Sequence, residues 1–155
     1  MMAENRSESL GSRVVCQIGL VVRDVAKSAR AYADLFGVDV PGWSLTDPEE
    51  KAQTRYRGQP TQGRAKLAFF HLGSISLELI EPVGGPSTWQ EFLETQGEGV
   101  HHIAFEIQGM DEQVEILARK GMSLVQRGEY TGGRYAYIDG VPQLGVILEL
   151  LENDR

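Results

Sequence analysis

"HIAFEIQGM", residues 102–110, and "QIGLVVRDV", residues 17–25, are two renderings of one pattern. Each opens on a side chain with a strong donor atom, continues through alternating apolar positions, and runs into a helical stretch. Alternation with a period of two predicts a half-buried strand, and apolar residues at i, i+3 and i+4 predict an amphipathic helix. After Val22, Asp24 is a helix cap for Val25, Ala29, Tyr32, Ala33 and Phe36, and Gly37 is the stop. After Ile107, "MDEQVEILARKG" is the matching helix, stopped at Gly121. The ends of the two halves also match: "ISLELIE" (75–81) corresponds to "GVILELLE" (145–152).

Between these landmarks each half carries further strands. "AKLAFFHLG" and "ISLELIEP" predict a hairpin turning at Gly73-Ser74, and "MSLVQRG", "RYAYIDG" and "GVILELLE" predict the strands of the second half. "STWQEFLETQG" is a short capped helix between the halves. Gln17 to His102 is a step of 85 residues and Glu78 to Glu149 a step of 71, so the first copy holds 14 more. The surplus is placed in 41–63, read as a long loop with one strand near 53–56. Two βαβββ units make an internal repeat, and neither alone can cover its sheet. The expected fold is therefore α+β: two βαβββ repeats forming one curled mixed sheet with helices on the outer face. The expected divisions are a frayed tail at 1–12 and a single domain at 13–155, with repeat one at 13–82, a linker helix at 86–96 and repeat two at 98–152.

Alternation also decides which side chains face away from the helices. In the four strands that frame the repeat, the apolar faces are Cys16/Ile18/Leu20/Val22, Ile75/Leu77/Leu79, His101/Ile103/Phe105/Ile107 and Val146/Leu148/Leu150. The opposite faces then hold one strong donor each: Gln17, Glu78, His102 and Glu149. On a curled sheet these four converge inside a cup. A carboxylate in such surroundings is costly unless paired, protonated or bound to a cation. Two carboxylates, one imidazole and one amide oxygen suit a divalent metal of intermediate softness. His101, by the same alternation, turns to the helix side and packs, and His71 sits at a loop edge.

The remaining composition narrows the function classes. The chain has 155 residues, a formal charge of −7 and one cysteine. The acidic balance argues against nucleic acid or an anionic membrane as partner. Cys16, expected in the core, cannot form an intrachain disulfide and fits a reducing compartment. With no signal-like segment and no apolar run near about 20 residues, a soluble cytoplasmic protein is expected.

The paired units, with a ligand on the first and last strand of each, resemble the vicinal oxygen chelate superfamily over roughly residues 14 to 152. That group includes glyoxalase I, methylmalonyl-CoA epimerase, extradiol dioxygenases and bleomycin-resistance proteins. The resemblance implies that Gln17, Glu78, His102 and Glu149 hold one divalent ion (Zn, Co, Mn or Ni). This ligand set is similar to that of animal-type glyoxalase I, whereas epimerases usually carry histidine where Gln17 stands. Conversely, "LELIEPVGGPSTWQEFLETQGEGVHHIAFEI" (77–107) resembles the middle segment of methylmalonyl-CoA epimerase. Val21 and Pro82 stand where glyoxalase I has its glutathione-binding arginine and an asparagine.

The resemblance implies proton abstraction beside a metal-chelated carbonyl, with Glu149 the first candidate base and Glu78 the second. Bacterial epimerases can use a third-strand glutamate; here Lys66 is the nearest ionisable group. The expected activity is a metal-dependent, methylmalonyl-CoA epimerase-like isomerase acting on a 2-substituted acyl-CoA or related 1,3-dicarbonyl compound. The alternatives are a glyoxalase-type lyase and a metal-free antibiotic-binding protein of the same fold. Homodimerisation is implied by the family. Phe70, Trp43 and Tyr137 are candidate cup-lining contacts, and Arg134 is either an anion contact or a surface ion pair.

Overall fold

The computed structural model describes residues 8–155. Strand β1 (Val15–Val21) leads into helix α1 (Val25–Phe36), whose first turn is capped by Asp24 accepting from the Lys27 amide. Gly37 ends the helix in the left-handed conformation, at φ 68°. The segment expected to be a loop then forms β2 (Ser44–Leu45), α2 (Glu49–Ala52), β3 (Arg55–Tyr56) and β4 (Gln59–Pro60). The hairpin β5 (Arg64–His71) and β6 (Ser76–Val83) completes the first half. Helix α3 (Thr88–Gln96), capped by Ser87, joins it to β7 (Gly99–Glu106) and α4 (Met110–Arg119). Strands β8 (Leu124–Tyr130) and β9 (Gly133–Ile138), a short α5 (Val141–Leu144) and β10 (Ile147–Asn153) close the described chain.

All ten strands of the described residues lie in one sheet, in the order β2-β5-β6-β1-β7-β10-β9-β8-β3-β4. The repeat is visible in the register. β1 pairs parallel to β6 with Gln17 opposite Ser76, two residues before Glu78. β7 pairs parallel to β10 with His102 opposite Ile147, two residues before Glu149. The halves meet through the antiparallel pair β1–β7. The curled mixed sheet expected from the sequence is thus observed.

Two clusters cover the outer face. Val25, Ala29 and Ala33 of α1 pack on Leu77, Leu79, Ala68 and Phe70, while Met110 and Leu117 of α4 pack on Ile107, Ala136, Leu148 and Leu150. Phe70 therefore belongs to the outer core and not to the cup, because the β5 register sends Phe69 inward opposite Glu78. A third cluster lies inside the curl, where Trp89, Phe92 and Leu93 of the linker helix pack on Val21, Ala65, Ile80 and Tyr137. Helix α3 thus plugs one end of the cup.

Residues 41–63 do more than connect. β2 adds to β5 at one edge of the sheet and β3 adds to β8 at the other, so this segment straps the open side of the cup. Thr46 anchors the strap, accepting two bonds from Arg64 at its carbonyl and one from the Ala65 amide at its hydroxyl. Of the expected tail, residues 1–7 lie outside the described residues. Beyond them Leu10 packs against the α4 cluster and the Gly11 amide donates to Gln113.

Candidate metal centre

The four predicted donors come from the four adjacent central strands, β6, β1, β7 and β10. Their side chains converge at the floor of the cup. Nε2 of His102 lies 3.1 Å from Gln17 Oε1, 3.1 Å from Glu149 Oε1 and 3.5 Å from Glu78 Oε1. Glu78, His102 and Glu149 are all buried, and their ligand atoms fall within 4.8 Å of one another. With metal–donor bonds of about 2.1 Å, neighbouring ligands around one ion stand about 3 Å apart, which these separations match.

The chemistry of the pocket favours a cation. Glu78 Oε1 and Glu149 Oε1 are buried and receive no hydrogen bond, although His102 is near both. A buried carboxylate oxygen without a partner is strongly disfavoured. Burial, and then the charge of Glu149, hold the Glu78 carboxyl well above its usual range. A divalent ion would satisfy both orphan oxygens and cancel two negative charges. The residues present therefore fit the group that the donor set implies: Gln17, Glu78, His102 and Glu149 would hold it.

The room for the imidazole comes from Gly19, which faces both Glu78 and His102 in the register. A Cβ at position 19 would fall 2.5 Å from Nε2 and 2.6 Å from Nδ1 of His102. A glycine inside a strand marks such a close approach, so "QIGLVV" carried a signal for the ring's seat that the ligand pattern alone did not use.

Above the floor the cup is a cavity of about 430 Å³. Gln17, Glu78 and Glu149 form its base, and Leu67, Phe69, Tyr135 and Tyr137 stand among its walls. The strap contributes Leu45, Thr46 and Asp47, and the rim carries Glu129, Tyr130 and Asn153. Among the described residues, neither lysine nor arginine lines it. Tyr137 keeps its phenol proton, since burial and the carboxylates of Glu149 and Glu78 push the group well up, and its oxygen accepts from Trp89 at 3.0 Å. The Tyr130 phenol, burial first and Glu149 second, is pushed up to about 12.

Several expectations about single residues change. His101 does not turn to the outer helices. It is the extra residue of a bulge, where β7 advances two residues, Val100 to His102, against one on β1, and its ring packs on Phe92 and Tyr137 inside the curl. Cys16 sits at a second bulge between Val15 and Gln17 and is only partly buried, outside the core clusters. Burial first, then Glu106 and Glu149, raise its thiol. Trp43 does not line the cup; it is half-exposed beneath the Lys66 ammonium, 4.7 Å from the ring centroid.

Lys66, Arg134 and His71 all lie outside the cup. Lys66 faces Glu81 outside the cup, so β5 presents Ala65, Leu67 and Phe69 inward and no acid. Arg134 is a surface hub for Glu152, Asp154 and Glu129. His71 is exposed and meets Ser76 Oγ at 3.1 Å.

Comparison with known proteins decides the family. The family model for the Glyoxalase/Bleomycin resistance protein/Dioxygenase superfamily matches residues 16–137. The chain belongs to this superfamily. It is 38% identical over 92 residues to the uncharacterized protein YqjC of Bacillus subtilis (strain 168), a match covering 57% of this chain. That match spans 66% of the relative's length. Among solved structures, methylmalonyl-CoA epimerase from Mycobacterium tuberculosis superposes with a TM-score of 0.64 at 19% identity, covering 95% of this chain and 92% of that one. A methylmalonyl-CoA epimerase in complex with methylmalonyl-CoA and NH4+ gives 0.62 at 22% identity, covering 94% and 96%. At these identities the superpositions establish the glyoxalase-superfamily fold. No helix among the described residues is long and apolar enough to cross a membrane, which leaves β-barrels aside.

Proposed function

We propose that the protein is a divalent-metal-dependent isomerase of the methylmalonyl-CoA epimerase type, acting on an acyl-CoA with an acidic C–H between two carbonyl groups. The observation that carries this reading is the pair of orphan carboxylate oxygens facing one imidazole nitrogen at the floor of the cup. When bound, the ion would supply Lewis-acid polarisation of a chelated carbonyl, which makes the adjacent C–H acidic. Glu149 and Glu78 are the proton-moving groups: both line the cup, whereas β5 offers no carboxylate inward. They enter the floor from strands on opposite sides of the β1–β7 pair, so one carboxylate can take a proton and the other return one across the substrate plane. Trp89 and the strap residues Leu45, Thr46 and Asp47 line the cavity and narrow its access to solvent. An acyl-CoA substrate is supported by the likeness to structures solved with methylmalonyl-CoA. The reading carries with it a cytoplasmic homodimer, which sedimentation velocity and cell fractionation test.

The deciding experiment follows the C2 proton of methylmalonyl-CoA in deuterated buffer, with and without Zn, Co, Mn or Ni. Metal-stimulated exchange is expected, and Glu149→Gln should lower its rate by about 10²–10⁴-fold. No metal-dependent exchange would remove this substrate.

Gln17 in the donor set favours a second reading, a glyoxalase-type lyase acting on a glutathione thiohemiacetal. Against it stands Val21, wholly buried under Trp89 where that family places an arginine clamp. Turnover of methylglyoxal with glutathione separates the two. A metal-free binding protein would instead purify without stoichiometric metal.

A further inference from the structure

The bulge that brings His101 and His102 to one face also brings them into contact. On a regular strand two successive side chains leave from opposite faces, but a bulge sends both the same way. Here Nδ1 of His101 lies 2.8 Å from Nδ1 of His102, with the rings nearly perpendicular at 88°. Two ring nitrogens at that distance share one proton, so one donates and the other accepts. Among the described residues, the far nitrogen of His102 has the oxygens of Gln17, Glu149 and Glu78 within 3.5 Å. The far nitrogen of His101 meets Thr88 Oγ1 at 3.2 Å.

We propose that His101 is a positioning residue for the metal centre: its Nδ1 accepts the Nδ1–H of His102, which leaves the Nε2 lone pair of His102 aimed at the ion. The purpose of this bond rests on the metal-centre reading above. A ligating imidazole must carry its proton on the nitrogen away from the metal, and a hydrogen-bond acceptor there sets both the tautomer and the ring orientation. Carboxylates or backbone carbonyls commonly do this. Here a third carboxylate beside Glu78 and Glu149 would add another buried negative charge, and a neutral imidazole accepts the proton without one. His101 is itself held in place. In that tautomer its Nε2–H donates to Thr88 Oγ1, 3.2 Å away, and its ring is wedged edge-on against Phe92 and Tyr137, with centroids 5.4 Å and 5.0 Å away. The chain of contacts therefore runs from the linker helix through His101 to the ligand.

Two measurements test this. In zinc-loaded, 15N-labelled wild type, the His102 Nδ1–H is expected as a slowly exchanging downfield proton with nitrogen–nitrogen coupling across the hydrogen bond to His101. Absence of that coupling overturns the proposal. In competition titrations with zinc, His101→Phe, which keeps a ring but no acceptor, should weaken binding by about 10–100-fold. His101→Asn, whose Oδ1 can take the place of Nδ1, should stay within about threefold of wild type. Equal affinity of His101→Phe and wild type would overturn the role of His101 while leaving the metal centre intact. If wild type binds no divalent ion, the metal centre itself falls and this role falls with it. Should His101→Phe fail to fold, the coupling in wild type alone decides.

Discussion

The imidazole of His102 occupies the space that a side chain on Gly19 would need, with Gly19 directly opposite it across the β1–β7 pair. Gly19→Ala therefore cannot leave the ring where it is. The clash is with a ring held on its other side by His101 and Tyr137, so the strain is not relieved by a simple rotation. The expected result is a loss of about 1–3 kcal/mol in stability and at least a tenfold loss of zinc affinity, read by urea denaturation and competition titration. Unchanged affinity would show that the ring seat is not needed.

Metal removal should reveal the strain at Glu78. Its carboxyl is held well above the ordinary value of 4.5, by burial first and by Glu149 second. In the metal-free protein the folded form thus keeps a proton that the unfolded chain releases above pH 4.5. The associated stability is complete below that pH and is lost as pH rises through the folded value. Urea midpoints across this window should fall with pH, and Glu78→Gln should flatten the slope. A divalent ion at a hundred times its Kd should restore about 2.7 kcal/mol. A pH-independent midpoint in wild type would contradict the assignment.

Trp89 and Tyr137 form a buried hydrogen bond between the linker helix and β9. Trp89→Phe leaves the Tyr137 hydroxyl without that donor in an apolar cluster, which should cost about 1–3 kcal/mol. A double-mutant cycle with Tyr137→Phe should show coupling near 1 kcal/mol, and independent effects would mean that the bond contributes nothing.

Arg134 supplies the contrast. It contacts three carboxylates, those of Glu129, Glu152 and Asp154, but at the solvent. Glu152 keeps its second task, accepting from the first amides of α4 at Gly109 and Met110. Arg134→Ala should therefore change stability by about 1 kcal/mol or less and leave zinc affinity unaltered. A large loss of affinity would make Arg134 part of the site.

Much of the architecture is legible in the residues because local chemistry and the tertiary fold agree. Asp24, Ser87 and Gly37 cap helices where the sequence places them, and the alternation around Gln17, Glu78, His102 and Glu149 points all four donors to one face. Where alternation fails, an insertion in the ladder is the reason. Cys16 and His101 sit at bulges, and a bulge depends on how two distant strands are matched, which neither strand's own pattern reports. The same holds for Phe69 and Phe70: two adjacent phenylalanines are equivalent as a pattern, and only pairing with β6 sends one to the cup and the other to the core. The strap at 41–63 lacks periodicity because its strands are two residues long and borrow their partners from the two edges of the sheet.

By itself, the sequence determined the repeat, the curled mixed sheet and the shared face of Gln17, Glu78, His102 and Glu149, since these follow from periodicity and residue chemistry along each strand. Tertiary structure alone decided that His101 lies against His102, that Gly19 seats the ring, and that the linker helix and strap border the cup. Each of those depends on register between segments far apart in the chain, and register is settled only when the strands pair.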